Sequence, residues 1–199
     1  MQQKKDMLGL KLPTDPRWVN IVEKNIDEIL TDHAFCEQKA ASTAISLIVN
    51  FPEYPELVTE MVALAREEMG HFKMVHDRIL ARGKTLGRYR RDDYVVELMK
   101  FFPKGGSRET KLVHRLLYAA LIEARSCERF RLLSEQLKDP DLAEFYRKLM
   151  VSEAGHYTLF LKFARKYGNR AEVDQKWEDL LAYEAEIVKG LGNRETVHG

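Results

Sequence analysis

The sequence predicts an all-α protein built around a four-helix bundle. Apolar residues recur at helical spacing along four long segments, and no segment shows the alternation of apolar and polar residues that is typical of a β-strand. Prolines and glycines separate these segments by short turns, except for one long connection over residues 84–106. Two helix pairs joined by one long crossover are an established connectivity for such a bundle.

The individual helices follow from their start and stop signals. Capping residues and prolines favour helix starts, whereas glycines and prolines favour helix ends. The predicted helices cover residues 16–24, 26–51, 56–81, 93–101, 108–137, 140–168 and 171–189. We expect one domain over residues 1–199, with a core bundle over about 26–168 and extra helices at both ends.

Composition narrows the class of protein. A chain of 199 residues with 45% apolar and 32% charged residues is typical of a globular domain, and a net charge of +1 gives no overall attraction to nucleic acid. Cys36 and Cys127 form no framework of spacings, which favours a reducing compartment. Residues 1–6 lack the apolar core of a signal peptide, and no apolar run reaches the roughly 18–20 residues of a membrane span. We therefore expect a cytoplasmic protein with no membrane segment.

Two of the long helices carry the same short motif, Glu-x-Gly-His followed by an aromatic residue. The first copy contains Glu68 and His71, and the second contains Glu153 and His156. Residues three apart share one face of a helix, so each glutamate points the same way as its histidine. Apolar residues flank both faces, and a carboxylate on an apolar stripe is costly unless a positive charge meets it. Such faces indicate a metal site.

The motif belongs to a longer internal repeat. A proline lies thirteen residues before each motif glutamate, and a helix with one inward glutamate precedes each proline. These upstream residues are Glu37 and Glu123, which lie 31 and 30 residues before the motif glutamates. If Glu128 took the place of Glu123, the two separations would no longer match. Glu128 also faces about 140° away from Glu123 around the helix. We therefore take Glu128 as a surface residue or one that supports a ligand.

Chance does not explain the two matched motifs. The composition alone predicts roughly 0.6 pairs of the form Glu-x-x-His, and the sequence contains three. The third pair, Glu195 and His198, lies in a polar tail without a matching upstream glutamate, and we assign it to chance.

The repeat predicts a ferritin-like centre for two metal ions. Proteins of that fold take one glutamate from each of two helices and a Glu-x-x-His pair from each of the other two. The predicted ligands are Glu37, Glu68, His71, Glu123, Glu153 and His156. Four carboxylates carry a charge of about −4, which two divalent ions neutralise, and this donor set suits iron or manganese. The alternative is a metal-free bundle whose helices are joined by salt bridges. Against this alternative, no Lys or Arg lies on these inner stripes to pair with the acids.

Four segments then resemble the bacterial tRNA 2-methylthio-isopentenyladenosine hydroxylases. They are His33–Ser42 (HAFCEQKAAS), Arg66–Phe72 (REEMGHF), Ile122–Phe130 (IEARSCERF) and Ser152–Tyr157 (SEAGHY). The resemblance covers about residues 15–168. It implies a non-haem di-iron monooxygenase that hydroxylates the isopentenyl group of the modified adenosine next to the anticodon in tRNA. It also implies two Fe ions as cofactor, with dioxygen, an external electron donor and the tRNA anticodon loop as partners. Manganese is an alternative metal.

One basic stretch is a candidate for RNA contact. The candidate RNA-binding residues are Arg82, Lys84, Arg88, Arg90 and Arg91, with Tyr89 among them. A basic loop with an aromatic residue can hold phosphates and stack a splayed base. The alternative is a solvated linker, since charge runs are often no more than that.

Three residues near the predicted ligands have open roles. We take Cys127, one turn after Glu123, as a small core residue rather than a ligand. His33, one turn before Glu37, either supports a ligand or is a hydrogen-bonded core residue, and we favour the second role. Tyr157 follows a predicted ligand, and packing is its expected role, although its hydroxyl could instead donate a hydrogen bond toward the site.

Three other functions share these features. A rubrerythrin-like peroxidase or iron-handling protein would use a similar ligand set, but the chain lacks the Cys-x-x-Cys pairs of an attached electron-transfer iron. A manganese catalase would also use similar ligands. A non-catalytic bundle that binds RNA or a protein, with a metal that only stabilises the fold, is the third hypothesis.

Overall fold

The computed structural model describes residues 8–191 and 196–198, and in these residues it contains seven helices and no strand. The helices are α1 (Trp18–Lys24), α2 (Ile26–Asn50), α3 (Pro55–Ala81), α4 (Asp93–Met99), α5 (Arg108–Gln136), α6 (Pro140–Tyr167) and α7 (Arg170–Leu191). Their bounds lie within two residues of the predicted ones, which confirms the all-α prediction.

The described residues group into two compact units. The α2–α3 unit contains residues 22–92 and 196–197, and the α5–α6 unit contains residues 8–21, 93–191 and 198. Each unit is built on two long helices joined by a short turn, which makes neighbouring helices antiparallel. The prediction of one domain over residues 1–199 stays a prediction.

In the α2–α3 unit, local sequence signals set the bounds of α3. Pro55 begins the helix at a position where its missing N–H costs no hydrogen bond, and the chain leaves the helix through Gly83, whose φ of 70° lies in the left-handed region. Between these ends the buried residues recur every three or four positions. This stripe comprises Leu57, Met61, Leu64, Glu68, His71, Val75 and Ile79. The two polar members therefore occupy core positions.

In the α5–α6 unit, both long helices begin with capping side chains. The Ser107 hydroxyl accepts a hydrogen bond from the Thr110 N–H, and the Asp139 carboxylate accepts from the N–H groups of Asp141 and Leu142. Helix α5 is buried over most of its circumference. Several of its charged side chains are therefore buried as well. It is the central helix of this unit.

A buried ionic network surrounds α5. Arg125 donates to Glu184 of α7 at 2.7 Å and to Glu128 at 3.1 Å, and it also donates to the Leu12 carbonyl at 2.9 Å. Burial alone would lower the pKa of Arg125, but Glu184 above all outweighs it and raises that pKa. The Tyr94 hydroxyl of α4 donates to Glu184 at 3.1 Å. One guanidinium thus ties α4, α7 and the N-terminal segment to α5.

Glu128 differs from the sequence expectation of a surface residue. It is buried, and its carboxylate accepts hydrogen bonds from the Thr14 N–H at 3.1 Å and from the Thr14 hydroxyl at 2.6 Å. The partner lies 114 residues away along the chain, so no local spacing indicates it. Arg129 follows, with its guanidinium 4.5 Å from the ring centroid of Trp18.

Val197 and His198, which lie in the polar tail, are both buried. His198 is buried in the α5–α6 unit, where its Nε2 lies 3.0 Å from the Ser126 hydroxyl and its ring stacks on Tyr94 at 5.8 Å. In the α2–α3 unit, the Val197 N–H donates to the Asp32 carboxylate at 2.7 Å. Glu195, the other member of the third Glu-x-x-His pair, lies outside the described residues. None of the helices in the described residues combines the length and the hydropathy that a membrane-spanning segment requires.

The buried network around Arg125 should dominate the stability of its unit. We expect Arg125→Met to lower the free energy of unfolding by about 3–5 kcal/mol, because Glu184 and Glu128 would then be buried charges without their partner. Urea denaturation measures the change. The control is Glu178→Ala, which removes the exposed pair with Lys11 and should cost below about 1 kcal/mol. Equal losses in the two variants would contradict this account of the network.

Candidate metal centre

The α2–α3 unit brings three of the predicted ligands together. Glu37 of α2 faces Glu68 and His71 of α3, and all three are buried. Nδ1 of His71 lies 3.5 Å from Oε2 of Glu37 and 3.4 Å from Oε2 of Glu68. Each residue offers one ligand atom, and these atoms lie within 4.8 Å of one another. We call this group the first triad.

The charge of the first triad favours a cation. Burial alone would lower the pKa of His71, but hydrogen bonds and charge interactions with Glu37 and Glu68 outweigh it and raise that pKa to about 10. The two carboxylates thus hold a proton on an imidazole that burial would otherwise keep neutral. A divalent ion placed among the same three atoms would replace that positive charge, and the histidine would bind it as a neutral ligand.

The α5–α6 unit builds an equivalent group, the second triad. It consists of Glu123 of α5 with Glu153 and His156 of α6, and all three are buried. Nδ1 of His156 lies 3.5 Å from Oε2 of Glu153, and the ligand atoms of the triad lie within 4.8 Å of one another. As in the first triad, the first helix of a pair supplies a lone glutamate, and the second supplies a glutamate and a histidine three residues apart.

The donor atoms of both triads fit a metal site. Two carboxylates and one imidazole are oxygen-rich donors of the kind that iron and manganese accept, and no thiolate is among them. All six predicted ligands therefore lie in one or other of two buried Glu/Glu/His groups that could bind metal. The internal repeat seen in the sequence corresponds to these two triads.

His33 contacts a predicted ligand directly. It is fully buried one turn before Glu37 on α2, and its Nε2 lies 2.6 Å from Oε1 of Glu37. Nδ1 of His71 lies near the other carboxylate oxygen of Glu37. A hydrogen bond of this kind fixes the orientation of a ligating carboxylate. Of the two roles left open for His33, this contact fits the support of a ligand.

Cys127 and Tyr157 have contacts that suit packing roles. The Cys127 thiol donates to the Met150 carbonyl at 3.3 Å, and burial, together with the nearby Glu153 charge, raises its pKa to about 12. A thiol in that environment stays protonated and is a poor metal ligand. The Tyr157 hydroxyl donates to the Leu8 carbonyl at 3.5 Å, and its ring contacts Trp177.

The predicted RNA-binding residues lie in the α2–α3 unit, and several of them have acidic partners. Arg82 and Lys84 lie 2.5 Å and 3.6 Å from the Asp27 carboxylate, and Arg90 lies 3.4 Å from that of Glu28. Arg88 and Arg91 are exposed. The sequence did not indicate these pairs, because Asp27 and Glu28 lie more than fifty residues before the basic stretch.

A family model described as tRNA-(MS[2]IO[6]A)-hydroxylase (MiaE) matches residues 2–199. The chain belongs to this family. Two curated relatives carry the name tRNA 2-(methylsulfanyl)-N(6)-isopentenyladenosine(37) hydroxylase. The protein from Pseudomonas putida is 38% identical over 180 residues, which cover 90% of this chain and 86% of the relative. The protein from Salmonella typhimurium is 29% identical, with 79% of this chain and 75% of the relative covered.

A solved structure shares the fold. It is described as protein 43 with aldehyde deformylating oxygenase activity from Synechococcus, and it is 34% identical to this chain. The TM-score is 0.89, with 96% of this chain and 95% of that chain covered. This likeness confirms the predicted all-α, ferritin-like fold class, and the family confirms that the chain is an enzyme, a hydroxylase.

We expect His33 to support metal binding by this hydroxylase through Glu37. His33→Leu should weaken the binding of a divalent ion at the first triad by about 10- to 100-fold, because Glu37 loses the contact that orients it. Titration of metal-free protein with Fe²⁺ or Mn²⁺ under anaerobic conditions measures this affinity.

Two variants serve as controls for this test. His33→Gln keeps a hydrogen-bond donor on the side chain and should recover part of the affinity. His76→Leu removes a half-buried histidine of α3 whose ring stacks on Phe72, and it should leave metal binding unchanged. Wild-type affinity in His33→Leu would contradict the proposed role of His33.

The two motif glycines generate a separate prediction. Gly70 and Gly155 are exposed in the middle of α3 and α6, and a Cβ added at either would meet no atom within 4 Å. Alanine at either position should therefore raise the free energy of unfolding by about 0.5–1 kcal/mol, because it restricts the unfolded chain and favours the helix. Thermal or urea denaturation measures the gain. A loss of stability would show that the helix needs glycine at that position.

Proposed function

We propose that this protein hydroxylates the isopentenyl group of 2-methylthio-isopentenyladenosine next to the anticodon in tRNA. Membership of the hydroxylase family over residues 2–199, and the names of the two relatives, support this substrate. The observation that carries the proposal is the pair of matched triads, since hydroxylation of an alkyl group needs a redox metal and each triad offers the donors to bind one. A tRNA substrate also implies that the protein acts in the cytoplasm.

We further propose that the two triads bind the two ions of one dinuclear centre. The ligands would be Glu37, Glu68, His71, Glu123, Glu153 and His156. Support comes from the equivalence of the triads and from the charge balance, since about four negative charges match two divalent ions. The same set of four glutamates and two histidines holds the ions in ferritin-like di-iron proteins. Iron is the proposed metal, and manganese is the alternative. The activity assay distinguishes between the two metals.

The chemistry requires reactants from outside the chain. When bound, the iron ions would supply the activation of dioxygen: one oxygen atom enters a C–H bond of the isopentenyl group, the other leaves as water, and an external donor provides two electrons and two protons. The chain must hold the ions in place, keep coordination positions open and exclude water. In each unit buried alanines lie one turn from a lone glutamate, Ala41 after Glu37 and Ala119 before Glu123. We propose that these small side chains leave room for the alkyl group.

We expect iron, a reductant and dioxygen together to add one oxygen atom to the prenylated adenosine of tRNA. Mass spectrometry of the nucleosides after digestion detects this product. His156→Ala and Glu123→Ala should each abolish it, because each removes a ligand from the second triad. The control Glu135→Ala changes an exposed glutamate of the same helix as Glu123 and should retain full activity. Full activity in folded His156→Ala protein would contradict the proposed centre.

Two other reactions belong in the same assay. The solved structure with aldehyde deformylating oxygenase activity favours an aldehyde as an alternative substrate, and loss of the formyl group from it would support that function. Removal of peroxide without any RNA product would support a peroxidase. Manganese-loaded protein without hydroxylase activity, beside active iron-loaded protein, would assign iron as the metal of the reaction.

A further inference from the structure

A tyrosine outside the metal centre has an unusual combination of exposure and fixed orientation. Tyr89 is 55% exposed, although two side chains of α2 hold its ring. The ring of Phe35 meets it edge-on at 5.6 Å between centroids, and the Lys39 Nζ lies 5.6 Å from its centroid. A tyrosine that is held in this way and is still more than half exposed presents a platform for another flat group.

The segment that carries Tyr89 is anchored along α2 on both sides of the ring. Arg82 contacts Asp27 before it, and Arg90 contacts Glu28 after it. Between them, Gly87 passes so close to α2 that an added Cβ would lie 2.9 Å from Cγ2 of Thr31. Because Thr31 is buried and β-branched, it has little freedom to move away. The platform is therefore part of the folded unit.

The charge around the platform fits an RNA strand. Residues 82–91 contain five basic side chains and no acidic one. The pairs with Asp27 and Glu28 are largely exposed, and exposed pairs contribute at most about 1 kcal/mol, so phosphate groups can compete for these cations. Arg88, next to Tyr89, is exposed as well. An open aromatic face among cations is the arrangement that binds unpaired bases and their phosphates.

The position on α2 determines which base the platform can receive. Phe35 and Lys39 are four residues apart and share one face of the helix. Glu37 lies between them in sequence, about 200° away around the helix, and it shares its own face with His33. The platform and the first triad thus lie on opposite sides of α2, and a base stacked on Tyr89 cannot also reach Glu37.

We propose that Tyr89, held by Phe35 and Lys39, stacks an unpaired base that neighbours the reacting adenosine in the anticodon loop of the substrate tRNA. This proposal rests on the proposed function, since it assigns a further contact to the same substrate. The exposed basic residues around Tyr89, among them Arg88, bind the phosphates of that strand.

The test compares an RNA hairpin with a duplex. The hairpin has the length of an anticodon stem and loop and contains the prenylated adenosine, and the duplex has the same composition with every base paired. Tyr89→Ala should weaken hairpin binding at least about fivefold, as expected when one stacked base is lost, and should change duplex binding less than about twofold. Tyr89→Trp should bind the hairpin as tightly as wild type, because it keeps an aromatic face.

Two further variants separate stacking from other effects. Arg88→Ala should weaken both RNAs and lower the slope of log affinity against log salt by about one, whereas Tyr89→Ala should leave that slope unchanged. Tyr183→Ala is the matched control. That tyrosine is half-buried, packs on Phe101 and donates to the Glu97 carbonyl, and its loss should not change RNA binding. Thermal unfolding and metal content verify that each variant is folded.

The outcomes separate the two proposals. If wild-type protein neither binds the hairpin nor hydroxylates tRNA, the proposed function and the platform are both wrong. If wild-type protein hydroxylates tRNA and Tyr89→Ala binds the hairpin equally well, only the platform is wrong. Equal losses in Tyr89→Ala and Tyr89→Trp would also overturn the platform, since stacking would then not be the interaction that Tyr89 provides.

Discussion

The burial of carboxylates beside imidazoles is the constraint on which this structure depends. Glu37 and Glu68 lose the solvation that keeps a carboxylate charged in water, and the interior replaces it with a proton held on His71 between them. A helix pair has little reason to place two acids and a histidine in its core for stability alone, because apolar side chains of similar size would usually serve it as well or better. The second triad repeats the same arrangement in the other unit. Carboxylates are therefore buried at a cost in both units, which indicates that a cation is needed for function.

The network around Arg125 is the opposite case, in which the chain supplies its own cation. The Arg125 guanidinium donates to both Glu184 and Glu128, and the Thr14 hydroxyl and the Leu12 carbonyl accept its other hydrogen bonds. Both kinds of site lie on α5, whose segment Ile122–Phe130 therefore has two roles on different faces. Glu123 belongs to the second triad, whereas Arg125 and Glu128 hold α7 and the N-terminal segment. Similarity over such a segment alone cannot separate these roles, but the direction of each side chain around the helix does.

The limits of sequence-based prediction follow from the range of each interaction. The helix bounds depend on neighbours within one turn, such as Ser107 with Thr110 or Asp139 with Leu142, and all seven helices could be predicted within two residues. The two triads could also be predicted, because residues three apart share a helix face and the chain repeats the pattern. The hydrogen bonds of Glu128 to Thr14 and of Asp32 to Val197 join residues 114 and 165 positions apart, and nothing in the local sequence indicates them. The contact of His33 with Glu37 is local, but residue spacing alone did not separate support of a ligand from an ordinary core hydrogen bond.

Helix α2 would connect the proposed metal binding and the proposed RNA contact by geometry. One of its faces carries His33, Glu37, Ala41 and Ala44, all buried, and the opposite face carries Phe35 and Lys39. An α-helix with its side chains is about 10–12 Å thick, and it is rigid on this scale. A base bound at Tyr89 can therefore shift Glu37 only by moving the whole helix, which the packing of Ala44 and Leu47 opposes. The proposed platform could therefore bind RNA while the orientation of Glu37 is preserved, so a single helix would position the substrate without disturbing the proposed metal ligand.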